Sequence, residues 1–183
     1  MNLSHELRVL QAMAAALPEF ILAAAVFWPL TGPSDFPQLS LGGLALTEAR
    51  LLAAEAALTP AQCAQRDATR RACEVTLARW PVAAENKAAH ELRVRVNSWT
   101  AFLEDCREAS AADAWPSAVT HRAFAALLLR DYPRLADSAE AQRLRPIDAA
   151  VRAFLRPGPF VWEAAWQSAF PPETFWFLYA ARP

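Results

Sequence analysis

PVAAENKAAHELRVRVNSWTAFLEDCRE, from Pro81 to Glu108, decides how this chain folds. It contains no Gly and no internal Pro, and apolar residues recur at Ala89, Leu92, Val96, Trp99, Leu103 and Cys106. Steps of three and four hold these six positions on one side of a helix for about five turns. A helix of that length presents more apolar surface than it can leave in water, so other segments must cover it. The spacing therefore predicts a central helix over 82–108, with the rest of the chain wrapped round it.

What surrounds this stretch is helical in character. The 183 residues include 42 Ala and 23 Leu but only two Ile, and only four glycines. Ala and Leu are strong helix formers, and β-branched side chains lower helix propensity. With 55% hydrophobic and 20% charged residues the chain belongs with folded proteins. The expectation is one all-α domain over 1–183 with seven to nine helices.

Working outward, residues 3–17 place Leu3, Leu7, Leu10, Ala14 and Leu17 on one face, and Pro18 is expected to restart the chain. PEFILAAAVFW, 18–28, is apolar on nearly every side. Pro18, Glu19 and Pro29 leave it too short for the roughly 20 apolar residues of a membrane span, so a buried core helix is expected. Residues 29–46 carry three prolines and three glycines and read as a loop, packed down by Leu39, Leu41, Leu44 and Leu46. Thr47 is placed as a helix cap. Thr59-Pro60-Ala61-Gln62 is a capping box with Pro at the first helical position, and Pro81 should break the chain after Trp80. A turn is expected at 109–116 and a helix buried on more than one side at 117–131. A second cap is read at Asp137, with a short helix to Leu144 and a new one from Pro146.

Net charge is −1, which gives no general attraction for nucleic acid or acidic membranes. The most basic helix, with Arg66, Arg70, Arg71 and Arg79, also carries Asp67 and Glu74, spaced to pair with Arg71 and Arg70. It reads as a solvated face rather than a nucleic-acid reader. Three cysteines, Cys63, Cys73 and Cys106, suit a reducing compartment. The opening MNLSHELR lacks a basic leader region, so a cytoplasmic location is expected.

Catalytic and metal spacings are not found. His5, His90 and His121 form no HxxxH or ExxH pair, there is no CxxC, and the GxSxG and phosphate-loop patterns are missing. No metal and no cofactor are expected. Cys73 beside Arg70 and Arg71 is the one position where neighbouring cations would activate a thiol, against the plainer reading of a small core residue.

Two features remain. One residue after the apolar seam runs a polar stripe that includes His90, Arg93, Asn97, Thr100, Glu104 and Arg107, offset by about 100°. As a groove, with His90, Arg93, Asn97 and Glu104 beside Trp99, it would hold a ligand carboxylate or amide. As a boundary face, the Arg stems cover core residues and their heads reach water. The second feature is the tail, where Phe160, Trp162, Trp166, Phe170, Phe175, Trp176, Phe177 and Tyr179 fall within 24 residues. Trp162, Trp166 and Phe170 share a helical stripe. The plainer reading is a structural, at least partly buried tail that closes the core. Yet Phe175, Trp176 and Phe177 cannot all face one core, so at least one should meet a partner, a ligand or another subunit. The three are placed as an interface, with a homo-oligomer or a protein partner expected. The favoured function is a non-catalytic binding or interaction protein. The alternative is a small-molecule pocket protein or an enzyme working from the polar stripe.

Overall fold

A computed structural model describes residues 2–107 and 115–181. Most of the turn expected at 109–116 lies outside these residues, as do the side chains of Cys106 and Arg107. The chain is all-α. Among the described residues there are six α-helices: α1 (Leu3–Leu22), α2 (Leu41–Ala53), α3 (Pro60–Arg79), α4 (Pro81–Arg107), α5 (Trp115–Asp131) and α6 (Ala139–Arg152). Four 3₁₀ turns and a two-residue antiparallel ladder, β1 (Arg156–Pro157) with β2 (Ala180–Ala181), complete the described elements.

The central helix is where the seam places it. Leu92, Val96 and Trp99 are fully buried and Leu103 nearly so, in one continuous apolar core. Helix α4 lies against α5 on one flank and α6 on another, while α1 packs on α2 and α3. In α5, Leu127 and Leu128 are buried and Leu129 half-buried, as three successive leucines require. The Thr59 capping box forms in full: Thr59 Oγ1 accepts from Gln62 N, and the Gln62 side chain accepts from Thr59 N. Trp80 ends α3 and Pro81 opens α4.

Two of the prolines expected to start new helices, Pro18 and Pro146, lie inside one. Helix α1 runs through Pro18 and α6 through Pro146. An internal Pro costs about 3 kcal/mol in helix propensity. Here the apolar stripe continues in register across it: Leu17, Phe20 and Ile21 are buried in α1, and Leu144, Ile147 and Val151 in α6. Packing of those residues outweighs the lost hydrogen bond. The cap of α6 is Ser138 rather than Asp137, its Oγ accepting from Ala141 N.

The expected core helix at 18–28 stops at Leu22. Ala24 and Ala25 are exposed, and a loop runs from 23 to 40, pinned where Trp28 and Leu39 exchange backbone hydrogen bonds. Leu39 is buried, as a packed loop demands, but Leu41, Leu44 and Leu46 belong to α2. Ser40 caps α2, seven residues before the expected cap Thr47, which lies inside the helix; Gly42 and Gly43 sit in the first turn, where backbone N–H groups are open to side-chain partners.

The tail does not form a helix. It folds as 3₁₀ turns at Ala164–Ala169 and Trp176–Tyr179, with β2 returning to pair with β1. Phe170, Phe175 and Phe177 are nonetheless core residues.

Candidate ligand-binding cleft

The flank of α4 that matters is the one before the seam. Ala88, Glu91, Arg95 and Phe102 each precede a seam residue, and all four are buried. Glu91 is completely buried, and its carboxylate lies one turn from the Arg95 guanidinium, accepting from Arg95 Nη2 at 2.8 Å and from Nε at 3.1 Å. Its other oxygen accepts from Gly42 N at 3.0 Å, at the N-terminal end of α2. A Cβ at Gly42 would stand 2.9 Å from Glu91 Oε1 and 2.9 Å from Phe124 Cβ, so only glycine lets α2 come this close. A buried carboxylate needs a cation and further donors, and the backbone of α2 supplies one of them.

Arg95 ties the elements together. Its Nη2 donates to Ser40 Oγ at 3.2 Å and its Nη1 lies 3.1 Å from His121 Nδ1. Its guanidinium lies over the rings of Phe27 and Phe124, at 4.8 and 4.2 Å. Arginine can only donate, so His121 Nδ1 is the acceptor and the ring proton is on Nε2. Burial, and then the adjacent Arg95 charge, push the His121 pKa down, which keeps the ring neutral. Its Nε2–H has no protein acceptor among the described residues.

These residues form one wall of a cleft of about 520 Å³, within the usual range for small-molecule sites. Helices α1, α2, α4 and α5 and the 23–40 loop all contribute to it. Its apolar surface comes from Met13, Phe27, Leu46, Val94 and Phe124, and its polar groups include Ser40, Thr47, Thr120 and His121. Two cations line it, Arg95 and Arg50; among the described residues no carboxylate does.

Arg50 projects from α2, its guanidinium over the rings of Trp166 at 4.1 Å and Trp162 at 5.2 Å. Its ion-pair partner Glu6 stands at 4.0 Å, and its Nε is buried without a hydrogen-bond acceptor. Burial lowers the Arg50 pKa, partly offset by Glu6 and Glu163.

Most of the residues singled out on the polar stripe lie elsewhere. His90, Arg93, Asn97 and Glu104 are exposed, and none of them lines the cleft. Asn97 Oδ1 accepts from Arg143 on α6 at 3.2 Å, and His90 borders a separate shallow hollow with Lys87 and Ile21. Trp99 is a core residue whose Nε1 donates to Asp148 Oδ1 at 2.9 Å. Asp148 also receives a bidentate pair from the buried Arg122, which locks α4, α5 and α6 together. The groove follows the stripe on the opposite side of the seam because α2 and α5 cover that flank. The signal was present: the preceding stripe carries Ala88 and Phe102, with Glu91 and Arg95 four apart between them.

Other expected chemistry is also relocated. Cys73 is buried, and desolvation, reinforced by Glu48 and Glu74, raises its thiol pKa to about 12; its flanking arginines do not activate it. Asp67 pairs with Arg66 at 2.8 Å rather than with Arg71, while Arg70 and Glu74 pair as spaced, at 2.9 Å. Among the described residues no group of three or more His, Cys, Asp or Glu side chains could hold a metal ion, and no helix is long and apolar enough to cross a membrane. Phe175 and Phe177 point into the chain's own core, so neither offers an interface; only Trp176 of the three is partly exposed, beneath Arg152 at 4.1 Å.

Lys87, the one lysine of the chain, also serves the loop that walls the cleft. Its buried ammonium donates to the carbonyls of Ala23 and Ala25, at 2.8 and 2.7 Å, just beyond the end of α1. A compact cation there complements the negative end of the helix and fixes where the loop departs.

No protein-family model matches the chain, and neither a curated protein nor a solved structure does.

Proposed function

We propose that this is a non-catalytic binding protein whose ligand is a small, largely apolar molecule held in the cleft between α1, α2, α4, α5 and the 23–40 loop. The observation that carries this reading is the cleft itself, about 520 Å³ of mostly apolar wall with a few polar groups converging on it. Binding is favoured over catalysis by the state of the polar groups. His121, the titratable ring in the cleft, has Nδ1 occupied by Arg95 and is kept neutral. The thiols of Cys63 and Cys73 are on α3, which contributes nothing to the lining.

The test is a block. Val94 is half-buried on the α4 side of the cleft, so Val94→Trp should fill the space without opening the core. Calorimetric titration with arylalkanoic acids and their amides should show saturable binding to the wild type and loss of it in Val94→Trp, with circular dichroism unchanged. A folded Val94→Trp protein that binds as the wild type does would rule the cleft out.

A further inference from the structure

We infer that the cleft selects a ligand with one carboxylate on an apolar body, and that Arg50 is the residue that holds the carboxylate; this rests on the cleft being a small-molecule site. Arg95 and Arg50 are the two cations on the lining, and their situations differ. Arg95 has its donors committed to Glu91, Ser40 and His121, its charge compensated in direct contact, and the rings of Phe27 and Phe124 against its guanidinium. It organises the wall and leaves little for a guest.

Arg50 is the reverse case. Glu6 stands off at 4.0 Å, and Glu163 adds a further negative charge. Its Nε has no acceptor although it is buried. The guanidinium lies over the rings of Trp166 and Trp162, which hold it against the lining. A guanidinium whose side chain is only 20% exposed and whose Nε lacks an acceptor gains from an arriving carboxylate, through charge-assisted hydrogen bonds in a poorly hydrated setting. The remaining walls, Met13, Phe27, Leu46 and Phe124, suit an aryl or alkyl body. One anionic group is accommodated rather than two, because the Arg95 charge is already balanced by Glu91.

Phenylvalerate and its neutral amide, titrated calorimetrically into the same proteins, separate this inference from the cleft reading. The wild type should prefer the acid by about tenfold or more, the scale of one charge-assisted interaction. Arg50→Gln should bind acid and amide alike, at the affinity of the amide. Arg50→Lys, which keeps the charge should the Gln variant fold poorly, should retain part of the preference. Equal affinity of acid and amide for the wild type, or a preference that survives in Arg50→Gln, overturns the assignment to Arg50 while leaving the cleft reading intact, provided Val94→Trp abolishes binding. If neither compound binds the wild type, the inference and the cleft reading fall together.

Discussion

Glu91 shows how much a single side chain can organise. It has no solvent contact, yet all its acceptors are used: Arg95 from its own helix and Gly42 N from the start of α2. Replacing a well-matched buried ion pair with apolar groups is often close to neutral, whereas removing one partner leaves an uncompensated charge and costs about 3–5 kcal/mol. Glu91→Gln should therefore destabilise by that order in chemical denaturation, since Arg95 then stays buried without its counter-charge. The double change Glu91→Leu, Arg95→Met should be less costly than the single one, although it leaves Gly42 N without its acceptor and Ser40 Oγ with Gly43 N alone. A Glu91→Gln protein within about 1 kcal/mol of the wild type would mean that the pair is better hydrated than its burial implies. The sequence held this pair in plain view as HELRVR, with Glu91 and Arg95 one turn apart. Nothing local says whether such a pair faces water or core. That depends on α2 and α5, which arrive from distant parts of the chain.

At the scale of elements, a half-buried carboxyl, Glu48, lies on α2 among charges from α3 and α5. Desolvation raises the Glu48 pKa from 4.5 to about 7, opposed by Arg70 and Arg130 and reinforced by Asp131 and Glu74. The folded state therefore holds a proton on Glu48 that the unfolded chain releases at lower pH. Between about 4.5 and 7 the native form binds more protons than the unfolded form, so stability falls as pH rises through that window. The effect is present in full below the lower value and is lost above the upper one, on the order of 3 kcal/mol at most. Denaturant melts at pH 5 and pH 8 should show the wild type losing stability relative to Glu48→Gln, with the variant the more stable at pH 8. Parallel behaviour of the two proteins would show that Glu48 is solvated in the folded state. Element by element, the helices were legible wherever periodicity or caps were strong, as in the α4 seam and the Thr59 box. Pro18 and Pro146 misled because local propensity is outweighed by apolar residues that keep their register across the proline. Ser40 was missed as a cap because Gly42 and Gly43 read as loop, and their use becomes plain only when Glu91 and the Ser40 hydroxyl are seen against the backbone of that turn.

For the molecule as a whole, the aromatic tail closes the core even though it is not helical. Phe177 packs edge-on to Trp99 with centroids 6.3 Å apart, and Phe175 sits edge-on to Phe170 at 5.0 Å. Hydrogen bonds fasten the segment at both ends: Gly158 N donates to Tyr179 O, Val161 N to Leu178 O, and the Trp115 side chain, through Nε1, to Ala180 O. The central helix thus depends on the last residues of the chain to cover Trp99. Burying one large apolar side chain stabilises by roughly 1.5–3 kcal/mol, and Trp166, Phe170, Phe175 and Phe177 are all buried here. Together they rival the whole stability of a domain, about 5–15 kcal/mol. Removing residues 160–183 should leave a chain that aggregates or fails to fold, seen as loss of soluble protein and of a cooperative melt. Phe177→Ala alone should cost about 3–5 kcal/mol, by opening a cavity beside Trp99. Trp176→Ala should cost far less, because that ring is partly exposed and meets Arg152 at the surface. This ordering separates a structural tail from an interface. Were the tail a contact between copies, Trp176→Ala would shift the sedimentation coefficient toward the monomer at unchanged melting temperature, and the truncated chain would remain folded and soluble.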